Sequence, residues 1–519
     1  MKRTFGHEDA SAATRESLDT IIKNNDIRLF LDTLEKRYLV GPKGSGKTLL
    51  LLRKAIDRRE KGDGLCIPSI PASPVDRLDA AEHVGKKFNY QISDPSEAGL
   101  AWASVWKHAI YSSVIHHLRD ELLDEIETEN DTESSNEWLD IIRDTQDKDF
   151  RSLLDQIIST YSPVPLGPFH YFTELGHRLD VSGHKMLSQV RSECQKMNVY
   201  LSLVRRPIYV FLDNLDDYYE REPALWVNSM YGQLRAVREV SLGHKNIHLF
   251  TSIRQDVFEQ FNDEMRLQYY DYVAHLKYTK KELLKIFSTH ITELDDDLLV
   301  DSSKRKADPW HAFFGDAELI HDKNTNTDEH ACDYIYRHTL GRPRDIIHIG
   351  TILLKCRTDL GFTADEIRNA VHSAQIDISA QYLKEVEPLT GDFSISEFLS
   401  KHVHSYALDK EDIENSILSF FVDLEQQGIN VPDYVCCLNT PFETLYDLGL
   451  LGYVQEVPGT ERCIQQFRRP GQGLSQSNKR TLPESPYYFI HPVIHHLLPA
   501  TAKKADFILG HELDVECRS

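Results

Sequence analysis

Residues Gly41-Pro42-Lys43-Gly44-Ser45-Gly46-Lys47-Thr48 follow the apolar run Tyr38-Leu39-Val40 and precede Leu49-Leu50-Leu51-Leu52. Their spacing, G-x-x-x-x-G-K-[ST], is that of a loop that wraps phosphate. Gly41, Gly44 and Gly46 let the backbone curl with its N–H groups pointing inward, where side chains would obstruct the approach. Lys47 is expected to reach the β/γ-phosphate oxygens, and Thr48 to offer its hydroxyl to Mg²⁺. The helix starting near Thr48 adds its positive N-terminal end to the same anion site. An inert Gly-rich turn is the alternative, and a strand before the glycines with a helix after them argues against it. The spacing therefore implies nucleotide binding.

Such a loop needs a Mg²⁺-directed carboxylate on a neighbouring strand. Ile208-Tyr209-Val210-Phe211-Leu212-Asp213 fits, since five consecutive apolar residues read as a parallel strand covered on both faces. Asp213 would emerge at its C-terminal end, where ligands of open α/β sheets bind. A helix-capping aspartate is the plainer reading of the same residue. The residue after it is Asn214, which orients water but takes no proton. Efficient hydrolysis would then require Asp216, Asp217 or Glu220 as the base. Further on, Asn246-Ile247-His248-Leu249-Phe250-Thr251-Ser252 reads as another sheet strand. Thr251 or Ser252 is placed to sense a terminal phosphate by hydrogen bonding. Arg254 is a candidate guanidinium for phosphates or for a neighbouring subunit; a capping serine and a surface arginine are the bland alternative.

The segment Leu340-Gly341-Arg342-Pro343-Arg344-Asp345 breaks a helical pattern at Gly341 and Pro343 before a new apolar helix. An ordinary helix start, with Asp345 favourably in the first turn, explains it without any ligand.

The elements that position these residues follow from the pattern. After one βα unit the chain turns helical for a long stretch, with Trp102, Trp106, Ile110, Val114 and Leu118 forming an apolar stripe that core packing alone explains. The acidic segment from Asp120 to Asp147 reads as a mobile linker. Trp226, Met230, Tyr231, Leu234 and Val237 predict an amphipathic helix, Tyr272 to Leu276 a short strand, and Lys280 to Thr292 a helix opening a second, mostly helical region. Thr363-Ala364-Asp365-Glu366 is a capping box. Near the end, Phe442 to Tyr453 predicts a helix closing at Gly449 and then a strand; Arg462 to Arg480 reads as a connecting wing loop, and Tyr487 to Ile490 as a returning strand.

Composition bounds the rest. The 519 residues suggest about three domains, and 41% hydrophobic residues suffice for packed cores. A net charge of −22 argues against a surface devoted to nucleic-acid phosphates. Arg468-Arg469 with Lys479-Arg480 form a local basic patch or a solvated loop. Met1 to Glu8 has no signal-peptide core and no run approaches eighteen apolar residues, so a soluble, cytoplasmic protein without membrane contact is expected. Eight cysteines carry no C-x-x-C pair, and His116-His117 and His495-His496 lack a third ligand at useful spacing, so neither disulfides nor a metal cluster are expected.

Taken together, the phosphate loop, Asp213-Asn214-Leu215-Asp216 and Gly341-Arg342-Pro343-Arg344-Asp345 resemble bacterial P-loop ATPases of the STAND and KAP-like class, related to AAA+ proteins, from about Phe5 to Cys356. The resemblance implies ATP and Mg²⁺ as ligands, with Thr48 and Asp213 on the metal. It makes Asp216 a conspicuous second acid, and Asn214 stands where many AAA+ ATPases carry a catalytic glutamate. It also implies a lid in which Pro343 touches the base or ribose and an arginine such as Arg344 the phosphates. The expected fold is α/β, a parallel-sheet P-loop core over residues 1–276 with a helical insertion at about 75–200. A helical lid at 277–372 and a winged-helix-like domain at 373–519 complete it. The implied function is a slow regulatory ATPase switch, with Lys47, Asp213, Asp216 and Arg254 in catalytic roles, acting through homo-oligomerisation or an effector protein. Bacterial anti-phage defence is the setting that the family analogy suggests. A DNA-remodelling ATPase that grips duplex through its winged helix is the alternative. A GTPase is disfavoured because no N-K-x-D motif follows Asp213, and a small-molecule kinase has no use for the lid and C-terminal regions.

Overall fold

The computed structural model describes residues 5, 24–67, 95–128, 166–178, 183–202, 204, 206–213, 223–261, 263–322, 327–357, 361–390, 393–429, 440–456, 462–469, 482–505 and 514–516. Its organising element is a parallel sheet of β1 (Tyr38–Gly41), β2 (Leu65–Ile67), β3 (Ile208–Leu212), β4 (Ile247–Arg254) and β5 (Val273–His275). The strand order is β2-β3-β4-β1-β5. Parallel strands need crossovers and are covered on both faces, and the side chains obey that rule. Leu39, Tyr209, Phe211, Phe250 and Ala274 join the apolar cluster on one face. Tyr38, Val40, Ile208, Val210, Leu212, Leu249 and Ile253 join that on the other. Period-two alternation therefore assigns each helix to a face.

On the second face lie Pro95–Thr128, Pro168–Arg178, Gly183–Leu201 and Pro223–Gly243. The tryptophan stripe is core here, with Trp106 stacked on Phe172 at 4.1 Å and its Nε1–H donating to the Ser229 carbonyl at 3.1 Å. Helix Pro223–Gly243 approaches closely at Gly232, where an added Cβ would lie 2.4 Å from Trp102 Cβ. Helix Pro95–Thr128 runs through the first part of the expected acidic linker. Glu121 to Glu127 contains good helix formers and neither Gly nor Pro, and these local preferences prevail over its charge. The remainder of that linker, 129–147, lies outside the described residues.

The first face carries Asn25–Asp32 and the phosphate-loop helix Lys47–Lys61, and its cluster continues without a break into the rest of the chain. Helix Lys280–Glu293 starts at a capping box, with Glu282 N–H on Thr279 Oγ1 at 3.2 Å and Thr279 N–H on Glu282 Oε2 at 2.7 Å. The hairpin β6 (Leu319–Asp322) and β7 (Thr327–His330) leads to helices Ala331–Arg337 and Pro343–Cys356. The Thr363 box forms as expected and opens Ala364–Thr390, a 27-residue helix that runs across the expected division at 372/373. Phe5 inserts into this region, 4.5 Å from the Phe287 ring and against Gly350.

Beyond Thr390, helices Ile395–His402, Lys410–Gln426 and Pro441–Asp447 pack with an antiparallel sheet. Its strands are β8 (Ala407–Leu408), β9 (Leu451–Glu456), β10 (Arg462–Phe467), β11 (Tyr488–Ile490) and β12 (Asp514–Glu516), in the order β12-β10-β9-β11-β8. The expected wing loop needs correction at its start, because Arg462–Phe467 is a strand paired along β9. Arg462-Cys463-Ile464-Gln465-Gln466-Phe467 looks polar, yet Gln465 is fully buried. Residues 470–480 of that loop lie outside the described residues. Tyr382 on the long helix donates its hydroxyl to the Leu448 carbonyl at 2.6 Å, tying the C-terminal region to the centre. Among the described residues no helix is long and apolar enough to cross a membrane.

Candidate functional site

β1 delivers the glycine loop at the C-terminal edge of the sheet. Gly44 and Gly46 adopt φ of +80° and +89°, the left-handed region that side-chain-bearing residues resist, so these two positions require glycine. Helix Lys47–Lys61 starts directly from Gly46. Lys47 is buried, and its Nζ donates to the Gly41 carbonyl at 3.1 Å and the Pro42 carbonyl at 3.0 Å. Thr48 is exposed at the first turn. The loop is braced from β5 by Tyr278, whose hydroxyl donates to the Ser45 carbonyl at 2.9 Å. Burial and the Glu282 charge push the Tyr278 phenol well above its ordinary range, so it stays a donor at neutral pH.

β4 lies between the loop strand and β3, with Ser252 beside Leu39 and Arg254 beside Gly41. Asp213, half-buried past the end of β3, therefore faces Ser252, whose hydroxyl donates to Asp213 Oδ1 at 2.7 Å. Thr251 faces the other layer and its Oγ1 accepts from Gln233 Nε2 at 3.1 Å. Of the two candidate sensors, Ser252 is the one joined to the carboxylate. Asn214, Asp216, Asp217 and Glu220 lie outside the described residues.

The arginines part ways. Arg254 is buried, with Nε on Asp256 Oδ1 at 3.0 Å and Nη2 on Asp256 Oδ2 at 2.5 Å, and Nη2 also reaches the Glu385 carbonyl at 3.4 Å. In this arrangement its guanidinium is turned inward, toward Asp256 and helix Ala364–Thr390. Arg342 is only 1% exposed; its Nε donates to both Asp345 oxygens at 3.0 and 3.1 Å, and its Nη1 to Glu385 Oε2 at 2.9 Å. Burial alone would lower the Arg342 pKa, but Asp345 and Glu385 outweigh it and raise it. Arg342 Nη1 also lies 3.4 Å from the Lys43 carbonyl. Pro343 opens the next helix, as its fixed φ favours. Arg344 N–H donates to the Gly44 carbonyl at 3.2 Å, and a Cβ at Gly44 would meet Arg344 Cβ at 2.9 Å. Helix Pro343–Cys356 thus sits directly on the glycine loop.

Between them is a cavity of about 20 Å³, lined by Pro42 and Ser45 of the loop, Tyr278, Gly341 and Arg469. No protein-family profile, curated protein or solved structure matches this chain. The arrangement stands on its own geometry: a glycine loop at a helix N-terminus, a carboxylate held by the neighbouring strand, and helix Pro343–Cys356 bonded to the loop.

Three contributors escape a reading of the sequence. Glu385, near the C-terminal end of a long helix, joins both arginine networks. Tyr278 gives its only hint as an aromatic following a predicted strand. Lys54, fully buried, donates to the Phe30, Leu31 and Thr33 carbonyls at the end of helix Asn25–Asp32 and lies over the Phe250 ring at 4.3 Å. Elsewhere, His116 is buried with Nδ1 at 2.6 Å from the Tyr171 hydroxyl, and no cluster of His, Cys, Asp or Glu suited to a metal occurs among the described residues.

Proposed function

We propose that this chain is a regulatory ATPase switch of the STAND/KAP-like kind, binding Mg²⁺–ATP at the glycine loop, hydrolysing it slowly, and acting through assembly or an effector protein. The observation that carries the reading is the lid's bond to the loop, Arg344 N–H on Gly44 O at 3.2 Å. A loop whose occupancy must disturb a docked lid converts binding into movement.

The residues present fit the ligand. Gly44 and Gly46 hold the curled backbone that turns N–H groups toward phosphate, and the helix from Lys47 supplies a positive end. Lys47 already sits over the loop, bonded to two carbonyls that a phosphate oxygen would replace as its partner. Thr48 and Asp213 would hold Mg²⁺, which neutralises charge on the phosphate oxygens when bound. Ser252 donates to Asp213 Oδ1 at 2.7 Å and so orients the carboxylate. Asp216 is our candidate for the base, with Asp217 and Glu220 the other acids that follow Asn214, which cannot accept a proton. Arg344, half-buried beside Gly44, is the lid cation best placed for phosphate, since Arg342 is engaged by Asp345 and Glu385. The C-terminal helices with the β9–β10 hairpin support a winged-helix-like reading of that region.

The deciding experiment measures ATP turnover by the full chain with and without duplex or single-stranded DNA, together with its mass in solution in each nucleotide state. Slow, DNA-indifferent turnover with an ATP-dependent change in mass is expected. Strong stimulation by DNA would replace the switch with a remodelling ATPase, and a turnover number well above about 10 per second, the enzyme median, would refute slow hydrolysis.

A further inference from the structure

The basic doublet Arg468-Arg469 suggests a patch or a solvated loop, yet the fold turns it inward. β10 ends at Phe467, and the two arginines that follow lie against the turn after helix Pro441–Asp447. Arg468 is fastened there, paired with Asp447 Oδ1 and stacked at 4.0 Å over the Tyr446 ring. Gly449, at φ +75°, lets the backbone close in, since a Cβ there would lie 2.3 Å from the Arg468 carbonyl oxygen. The next residue, Arg469, forms part of the wall of the cavity beside Pro42, Ser45 and Gly341. Arg469, two residues past the end of β10, is the one contributor from the C-terminal region among those lining that cavity; the others come from the glycine loop, the start of helix Gln255–Gln260, the β5 exit and the segment before helix Pro343–Cys356.

We propose that Arg469 is a nucleotide-binding residue: its guanidinium contacts the phosphates of ATP and so reports the state of the site to the C-terminal sheet. This rests on the reading of the glycine loop as an ATP site. The chemistry favours phosphate as its partner, because a guanidinium beside an anion-binding loop forms charge-assisted, forked hydrogen bonds to phosphate oxygens. Loss of one such bond lowers affinity by about tenfold to a hundredfold. The anchor residue and the reporter are distinct: Arg468 holds the strand end and Arg469 meets the ligand. β10 is paired to β9, so a shift at Arg469 is carried into the sheet.

The test uses the full chain as wild type, Arg469→Gln and Arg469→Lys, with a fluorescent ATP analogue and with unlabelled ATP in competition. Hydrogen exchange of the amides of Ile464 to Phe467 is followed with and without ATP. The expected result is affinity at least about tenfold weaker in Arg469→Gln, partial recovery in Arg469→Lys, and ATP-dependent protection of β10 in the wild type alone. Melting without nucleotide is recorded for all three chains, and the ATP-dependence of β10 protection separates a ligand contact from a structural role. Arg469→Gln binding within twofold of the wild type, or equal β10 protection in both, overturns the role of Arg469 and leaves the ATP site standing. A wild type that binds no ATP overturns the site itself and this proposal with it.

Discussion

Arg342→Met should detach the lid from the glycine loop. The guanidinium lies 1% exposed between Asp345 and Glu385, themselves 1% and 3% exposed, with contacts of 2.9 to 3.1 Å. Removing the cation strands two buried carboxylates, and breaking a buried pair from one side costs about 3–5 kcal/mol. That converts to a rise of about 10²- to nearly 10⁴-fold in the fraction of molecules with the lid open. Two amides report it directly: Arg344 N–H, bonded to Gly44 O, and Leu340 N–H, bonded to Asp345 Oδ2 at 2.9 Å. Native-state hydrogen exchange at these positions should accelerate by that factor while amides of β3 keep their protection. The double variant Arg342→Met with Glu385→Met removes one stranded charge and should recover a large part of the loss. Exchange changed by less than threefold in the single variant, or strictly additive effects in the double, would refute the claim that this network holds the lid.

Lys47→Ala should abolish binding of the fluorescent ATP analogue while leaving the melting temperature without nucleotide within a few degrees; unchanged affinity would remove the glycine loop from the site. Gly44→Ala forces a Cβ onto φ +80° and to 2.9 Å from Arg344 Cβ, so chemical denaturation should show a loss of about 1–3 kcal/mol, from αL strain and the displaced lid. Lys54 is lowered to about 7, first by burial and then by Arg58. The unfolded chain, with a lysine pKa of about 10.4, binds more protons between those values, so this residue's cost is full below pH 7 and fades as pH rises. The wild type should gain about 2 kcal/mol relative to Lys54→Met from pH 7 to 9, and parallel pH profiles would show that Lys54 is not desolvated. Burial also lowers His338 well below its ordinary range and His495 to about 3. Both fold neutral, so below about pH 6.5 stability should fall by up to roughly 1.4 kcal/mol per pH unit for each; His338→Asn should flatten part of that slope in acid denaturation.

The strands and helices around the loop were legible because burial on both faces writes long apolar runs and amphipathic helices write stripes. Tyr38–Gly41, Ile208–Leu212, Ile247–Arg254 and Lys280–Glu293 stand within a few residues of where the pattern sets them. The roles of the arginines were not legible. Arg254, Arg342 and Arg344 look alike in sequence, and what separates them is proximity to Asp256, Asp345 and Glu385, the last 43 residues beyond Arg342. Arg462–Phe467 lost its strand signature because buried Gln465 replaces an apolar residue. Lys54 hid in an amphipathic helix, where a lysine ordinarily faces water; here it caps another helix with its ammonium over aromatic rings. Long-range partners are invisible to local pattern, whether or not the local element is read correctly.

Glu385 gives the proposed switch its mechanical logic. Its carboxylate holds Arg342 from the lid and its carbonyl receives Arg254 from the end of β4, the strand that also carries Ser252 against Asp213. One residue of helix Ala364–Thr390 therefore touches both sides of the proposed nucleotide site, and Tyr382, a turn earlier, bonds the C-terminal region through Leu448 O. The cavity of about 20 Å³ beside Pro42, Ser45 and Gly341 is far below the roughly 300–1,000 Å³ of ligand pockets. In the proposed switch, a nucleotide enlarges it by displacing helix Pro343–Cys356, which loads the bond from Arg342 to Glu385. Buried ion pairs of this kind contribute little net stability yet are costly to break from one side. They therefore favour two discrete arrangements over a continuum, and ATP can select between those only through a difference in affinity. The loop provides that difference, because in the docked state Lys47 is bonded to its own carbonyls and Gly44 O is bonded to the lid.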